Sequence, residues 1–163
     1  VAKMAFLRGI YTEEQTKQYI AELERTPEVM QAVLEQKRDI HVIAKQVVEA
    51  KDLFMIGRGL DYSILLEGSL KLKEVSYIHS EAYASGELKH GPIALITKDT
   101  PVVATVTQEK LMSKELSNIK EVRSRGARIV LFIKEFDFKS SVLVVPACRI
   151  FSFPCSVCCN ANP

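Results

Sequence analysis

Three charged residues recur at helical spacing near the middle of the chain. Glu67, Lys71 and Glu74 are spaced i, i+4 and i+7, which places two carboxylates and one ammonium in a row on one helix face. Two interpretations fit this row. It is either a solvated helix edge held by ion pairs, or the floor of a site in which a carboxylate beside a lysine moves protons.

The segment after this row favours the second interpretation. Residues 77–92 contain two His, two Glu, one Lys and two Tyr, and they close with Gly91-Pro92. A plain surface loop seldom carries so many titratable and aromatic side chains, so we expect a functional site here. Among the histidines, His79 follows an apolar residue and is interpreted as structural.

A strand, a glycine turn and a helix must position these residues. Leu53 to Ile56 is an apolar strand, and Gly57-Arg58-Gly59 is a tight turn in which the arginine could hold an anion. The turn does not complete a dinucleotide motif, because GxGxxG would need glycine where Tyr62 stands. Asp61 is a candidate N-cap. The helix of residues 62–78 is apolar on nearly every side and is predicted to be largely buried.

The remaining pattern predicts the fold class. Four further segments indicate strands: residues 80–83, 101–106, 129–133 and 142–145. A helix between the second and third of these ends near Gly126. Alternating strands and helices predict an α/β fold, a three-layer α/β/α doubly wound parallel sheet of the flavodoxin-like kind.

The chain ends differ in character from this central region. Residues 1–38 are predicted to form a helical leader, with a capping box at Thr12 and Gln15, and residues 39–146 the α/β domain. Residues 147–163 are expected to be an irregular tail that holds all four cysteines, at positions 148, 155, 158 and 159. Their irregular spacing, without a nearby histidine, favours free thiols over a zinc site.

Composition excludes several function classes. A net charge of +2 is too small to indicate binding to nucleic acid or to an anionic membrane. The chain is 47% hydrophobic and 26% charged, without an apolar run long enough to span a membrane or a signal-peptide pattern. We therefore expect a cytoplasmic protein with no nucleic-acid or membrane partner.

The stretch from Leu66 to Ile96, which includes the Leu-Lys-Glu-Val-Ser-Tyr and Glu-Leu-Lys-His-Gly-Pro motifs, carries a specific resemblance. It resembles the second sugar isomerase (SIS) domain of the glutamine:fructose-6-phosphate amidotransferase family, also called glucosamine-6-phosphate synthases. The similarity extends more loosely from Arg38 to Val145. It implies an SIS fold and a homodimeric parent enzyme that converts fructose 6-phosphate and glutamine-derived ammonia to glucosamine 6-phosphate.

The resemblance also implies roles for single residues. Glu74 matches the carboxylate that moves a proton between C1 and C2 of the sugar. Lys71 lies in the active-site wall, where its charge keeps Glu74 ionised and stabilises an enediolate, and Glu67 orients Lys71 beside the substrate. His90 matches the histidine that assists ring opening, and it reaches the site of the neighbouring subunit. No cofactor and no metal are expected.

Parts of this enzyme have no counterpart in the sequence. Residues 1–50 contain no Ser/Thr phosphate loop, Val1 stands where the family's amidotransferase domain needs a cysteine, and no matching lysine follows Lys139. We therefore expect this chain alone to be inactive. The alternative is an SIS regulator that binds a sugar phosphate without turnover, which would need the phosphate loop but not the Glu74/His90 pair.

Overall fold

The computed structural model describes residues 1–133, 144–145 and 148–152, with side chains described as far as residue 133. The chain divides into two compact units, Val1–Lys37 and Arg38–Pro163, one residue from the predicted end of the leader. The first unit is helical, and none of its helical residues is buried. Its helices are α1 (Ala2–Leu7), α2 (Glu13–Glu24) and α3 (Thr26–Glu35).

The predicted capping box at the start of α2 is present. The Thr12 hydroxyl accepts from the Gln15 backbone amide at 3.2 Å, and the Gln15 side chain accepts from the Thr12 amide at 2.9 Å. Two backbone donors that would lack helical partners are therefore satisfied within one turn.

The second unit alternates strands and helices. Its elements are α4 (Lys37–Val47), β1 (Asp52–Gly57), α5 (Leu60–Ser76), β2 (His79–Ala84), 3-10 turns at Glu87–His90 and Pro92–Leu95, β3 (Pro101–Val106), α6 (Glu109–Ser124), β4 (Arg128–Ile133), β5 (Val144–Val145) and β6 (Cys148–Ser152). Helix α4 begins with the last residue of the first unit.

The sheet has the strand order β2-β1-β3-β4-β6-β5. The first four strands are parallel, with Phe54 of β1 paired to Glu81 of β2 on one side and to Val102 of β3 on the other. Strand β1 is buried along Leu53–Gly57, as expected of a parallel strand covered on both faces. The predicted doubly wound parallel sheet is confirmed.

Alternating residues of β1 divide the core between the two faces of the sheet. Phe54 and Ile56 pack in one cluster with Ile119 and Val122 of α6. Leu53 and Met55 point the other way, into a smaller cluster with Leu65 of α5. Helices α5 and α6 therefore cover opposite faces, which is the three-layer arrangement.

The prediction that α5 is largely buried is wrong. Leu65 is the one buried apolar residue of the helix, whereas Leu60, Ile64 and Val75 are 69%, 64% and 79% exposed. A helix resting on one face of a sheet buries only the stripe that faces the sheet, and the apolar residues of α5 are spread around its axis. Asp61 is also not the N-cap, because Gly59 takes that position.

The tail is not wholly irregular, which corrects a second expectation. Cys148–Ser152 forms β6, which pairs antiparallel with the free edge of β4, and Val144–Val145 pairs antiparallel with β6. An open strand edge offers unpaired backbone groups, and Ile150 and Phe151 have high β propensity. Residues 142–143 of the predicted fourth strand and the cysteines at 155, 158 and 159 lie outside the described residues.

A buried pair of serines ties α5 to β2. The Ser69 hydroxyl donates to the Ser80 carbonyl oxygen at 2.8 Å, and the Ser80 hydroxyl donates to the Ser69 carbonyl oxygen at the same distance. Both side chains are almost completely buried, at 2% and 0% exposure. These reciprocal bonds fix the position of α5, and with it the charged row, along the direction of the strands.

In the described part of the chain, no helix has the length and apolar character needed to cross a bilayer.

Candidate functional site

The charged row on α5 forms as its spacing predicts. The Lys71 Nζ atom lies 2.9 Å from Glu74 Oε2 and 3.6 Å from Glu67 Oε1. The ammonium thus sits between the two carboxylates and makes its hydrogen bond to Glu74. The three side chains are 59%, 64% and 51% exposed for Lys71, Glu67 and Glu74, so the row lies at the surface of this chain.

The carboxylates act on the charge of the lysine. The hydrogen bond to Glu74, followed by the charge of Glu67, raises the pKa of Lys71 above its ordinary value. The lysine is therefore a permanent cation at neutral pH, placed directly beside Glu74. The row therefore combines a fixed positive charge with a carboxylate at hydrogen-bond distance on one helix face.

His90 lies in a different part of the domain. It ends the 3-10 turn Glu87–His90, which follows β2, and its side chain is exposed. Leu88, at 1% exposure, anchors this turn in the core cluster on the α6 face. Helix α5 packs on the other face, so the turn that carries His90 and the helix that carries Glu74 are anchored on opposite faces of the sheet. Among the described residues, no hydrogen bond or ion pair joins His90 to the row.

His79 takes part in surface pairing. Its Nδ1 lies 2.9 Å from Asp52 Oδ1, and its Nε2 lies 3.6 Å from Glu81 Oε1. Glu81 also accepts a hydrogen bond from the Tyr83 hydroxyl, which raises the pKa of Tyr83 to about 12. Within the described residues, no cluster of three or more acidic, histidine or cysteine side chains could hold a metal ion.

At the carboxyl ends of the parallel strands, the structure brings Arg58 of the glycine turn and Ser85 together with a buried carboxylate, Glu115, that the sequence did not single out. Glu115 of α6 is 1% exposed, and its Oε1 accepts from the Ser85 hydroxyl at 2.5 Å. Its Oε2 lies 3.6 Å from Arg58 Nε, within ion-pair range but beyond hydrogen-bond distance. We call Arg58, Ser85 and Glu115 the carboxyl-edge cluster, because these residues adjoin the ends of β1 and β2.

Further bonds join the loops after β1 and β3. Asp61 accepts from the Thr107 backbone amide at 2.9 Å and from the Thr107 hydroxyl. The Gln108 side chain donates to the Arg58 carbonyl oxygen at 2.7 Å. Gly59 has φ +57°, and a side chain there would begin 3.0 Å from Gln108 Oε1, so glycine suits both the backbone and the space.

The spacing of α6 could have identified Glu115. Positions 115, 119 and 122 follow the i, i+4, i+7 pattern, so Glu115 shares the buried face of Ile119 and Val122. A carboxylate on an apolar helix stripe is a signal for a specific buried partner.

Comparison with known proteins agrees with this architecture. The layers and strand order define a doubly wound α/β domain, and residues 46–137 match the SIS domain family model. The chain belongs to the SIS domain family, as the resemblance predicted.

Several relatives carry the same descriptive name, glutamine--fructose-6-phosphate aminotransferase (isomerizing). The chain is 48% identical to the one from Caldanaerobacter subterraneus over 131 residues, which is 80% of the chain and 22% of the relative. It is 50% identical to the one from Clostridium tetani over 123 residues, 76% of the chain and 20% of the relative. For the one from Francisella tularensis the identity is 41% over 158 residues, 93% of the chain and 26% of the relative.

Solved structures resemble this chain in fold. The C-terminal domain of glucosamine-fructose-6-phosphate aminotransferase from Francisella tularensis superposes with a TM-score of 0.79 at 39% identity, covering 88% of this chain and 42% of that one. A structure described as a putative phosphosugar isomerase from Salmonella typhimurium superposes with a TM-score of 0.70 at 19% identity. It covers 81% of this chain and 41% of that one, and it supports the fold alone. The chain spans only about a fifth to a quarter of the curated relatives it matches.

The buried carboxyl of Glu115 leads to a prediction about stability and pH. Burial raises its pKa, and this effect exceeds the opposing effects of the Ser85 hydrogen bond and the Arg58 charge. The folded state then holds the proton more tightly than the unfolded state. The contribution of Glu115 to the free energy of unfolding must therefore fall as pH rises from about 4.3, the pKa in the unfolded state, to the raised pKa of the folded state.

Replacing Glu115 with Gln removes this titration and keeps an acceptor for Ser85. We expect the free energy of unfolding of E115Q, relative to the original protein, to increase as pH rises from about 4 and to level off above the raised pKa. Urea unfolding at a series of pH values measures this difference. Glu109→Gln removes an exposed carboxylate from the same helix and serves as the control. The same pH dependence in both variants would contradict the prediction.

Proposed function

We propose that this chain contributes part of the isomerase site of a glutamine:fructose-6-phosphate aminotransferase. In the parent protein, that enzyme would convert fructose 6-phosphate and glutamine-derived ammonia to glucosamine 6-phosphate. The observation that carries the proposal is the 2.9 Å contact between Lys71 and Glu74 on α5 of an SIS domain. Relatives with the name of this enzyme are 41% to 50% identical to the chain.

Glu74 is the proposed proton carrier. Its carboxylate removes a proton from C1 of the sugar-derived intermediate and returns it to C2, so the ketose skeleton becomes an aldose skeleton. Lys71 would stabilise the negative oxygen that forms between the two proton transfers. Glu67, 3.6 Å from Lys71, holds the lysine from the other side and borders the substrate.

His90 is the proposed ring-opening residue. Opening a cyclic sugar requires a proton to leave the anomeric hydroxyl and another to reach the ring oxygen. Imidazole suits this exchange because it titrates near neutrality. In this proposal, His90 serves the site of a neighbouring copy in a homodimer, and the anchoring of its turn on the face opposite α5 supports that arrangement.

The isomerase site would also need groups from outside this chain. Phosphate-binding groups would come from other parts of the parent protein, so the chain alone would be inactive. The working location would be the cytoplasm, because a phosphorylated sugar is charged and does not cross a bilayer unaided.

The proton-carrier role predicts a large effect of one substitution. Glu74→Gln in the full-length parent keeps the size of the side chain and removes its basicity, so isomerisation should fall at least about 10²-fold. Glucosamine 6-phosphate formation measures the loss, and urea unfolding checks the fold. Glu67→Gln on the same helix should cause a smaller loss. Turnover by E74Q close to that of the original protein would contradict the role of Glu74.

The ring-opening role predicts selectivity between substrates. His90→Asn should lower kcat/KM for fructose 6-phosphate roughly tenfold more than for 5-deoxyfructose 6-phosphate, which lacks the hydroxyl that closes the ring. His79→Asn changes an exposed histidine outside the proposed site and is the matched control. Equal losses of H90N on both substrates would exclude ring opening by His90.

The shared site predicts complementation between two impaired chains. Co-expressed E74Q and H90N subunits would form mixed dimers in which one site receives Glu74 from the H90N chain and His90 from the E74Q chain. Such dimers should recover up to about half of the original activity per dimer, because one of the two sites is intact. Activity measured after affinity selection of mixed dimers tests this. Activity no higher than the mean of the two parental variants would place both residues in the site of one chain.

A further inference from the structure

The carboxyl-edge cluster contains a charge whose burial needs a reason. Glu115 Oε2 and Arg58 Nε are buried atoms without a hydrogen-bond partner among the described residues, although they face each other at 3.6 Å. Removing such charges from water is costly, and an apolar pair of similar size is often at least as stable. An apolar pair, however, could not give Ser85 a directional hydrogen bond.

Ser85 and Gly86 are held from three sides. The Ser85 amide donates to the Gly57 carbonyl oxygen at 3.0 Å, and its hydroxyl donates to Glu115 Oε1 at 2.5 Å. At the next residue, a side chain on Gly86 would begin 3.2 Å from Arg58 Nη2, so the guanidinium packs directly against the glycine. This point, where β2 ends, is also where the turn that carries His90 begins.

The far end of this turn is held by α6, the helix that also carries Glu115. Lys89 Nζ lies 2.5 Å from Glu121 Oε2, and the preceding residue, Leu88, is buried at 1% exposure. Glu115 and Glu121 are separated by about 9 Å along α6, from the helical rise per residue. Helix α6 therefore contacts the segment at Ser85 and again at Lys89, immediately before His90.

We infer that Ser85 and Glu115 are positioning residues that set the place of His90 for ring opening. The inference rests on the proposed function. The Ser85–Glu115 bond fixes where the turn leaves β2, and the Lys89–Glu121 ion pair fixes its direction along α6. Neither Ser85 nor Glu115 contacts the sugar. Their effect reaches the reaction through the position of the imidazole, which must be accurate to a fraction of an ångström.

The test compares the two substrates in the full-length parent protein. We define the ring-opening ratio as kcat/KM for fructose 6-phosphate divided by kcat/KM for 5-deoxyfructose 6-phosphate. Ser85→Ala should lower this ratio roughly five- to tenfold, because the histidine is displaced while Glu74 is unaffected. In the H90N background the same substitution should leave the ratio unchanged, since no imidazole remains to be positioned.

A matched control separates positioning from loss of stability. Ser80→Ala removes a fully buried hydroxyl of β2, whose partner is Ser69 of α5 rather than a residue of α6. It should lower the free energy of unfolding as Ser85→Ala does, but leave the ring-opening ratio as it was. Glu115→Gln keeps an acceptor for Ser85 and should retain most of the ratio, whereas Glu115→Leu should lower it as Ser85→Ala does.

The outcomes are distinct. If Ser85→Ala lowers kcat/KM equally on both substrates, or lowers the ratio by the same factor in the H90N background, the positioning role is excluded. If His90→Asn itself leaves the ratio unchanged, the proposed role of His90 fails and the positioning role fails with it. If Ser85→Ala does not fold, Glu115→Leu breaks the same hydrogen bond from the helix side. An unchanged ratio in E115L would then overturn the inference.

Discussion

The pairing of β1 with β2 on one side and β3 on the other sets the position of every candidate site residue. Because β1 is parallel to both neighbours, each connection must run back over one face of the sheet, from the end of one strand to the edge where the next strand begins. Helix α5 makes this crossing on one face, and the segment before β3 together with α6 occupies the other. The helix that carries the charged row and the turn that carries His90 are therefore anchored on opposite faces of the sheet.

The two acid–base candidates, Glu74 and His90, are held in position by different kinds of contact. The row on α5 needs only local geometry, since helical spacing brings Lys71 to 2.9 Å from Glu74 without help from the rest of the fold. His90 ends a short 3-10 turn, and a turn of four residues has little rigidity of its own. Its position depends on long-range contacts: a buried leucine, an ion pair to α6, and the hydrogen bond between Ser85 and Glu115.

The exposure of α5 also bears on how the chain works. Several large apolar side chains on this helix are exposed beside the charged row. A carboxylate and a lysine that are both more than half exposed interact weakly, because water screens their charges. The catalytic strength assigned to this pair would come from enclosure by other parts of the parent protein, which lowers the local dielectric and excludes water.

The sequence by itself determined the order of strands and helices from β1 to β4, the capping box at Thr12 and the charged row of α5. Each of these follows from interactions between residues close together in the chain, and the continuous motif from Leu66 to Ile96 indicated the family. Only the tertiary structure decided that α5 exposes most of its apolar residues, that β6 adds to the edge of β4, and that Glu115 meets Ser85 across 30 residues. The physical reason is that burial and buried polar pairs depend on which elements meet in space, and local spacing does not contain that information.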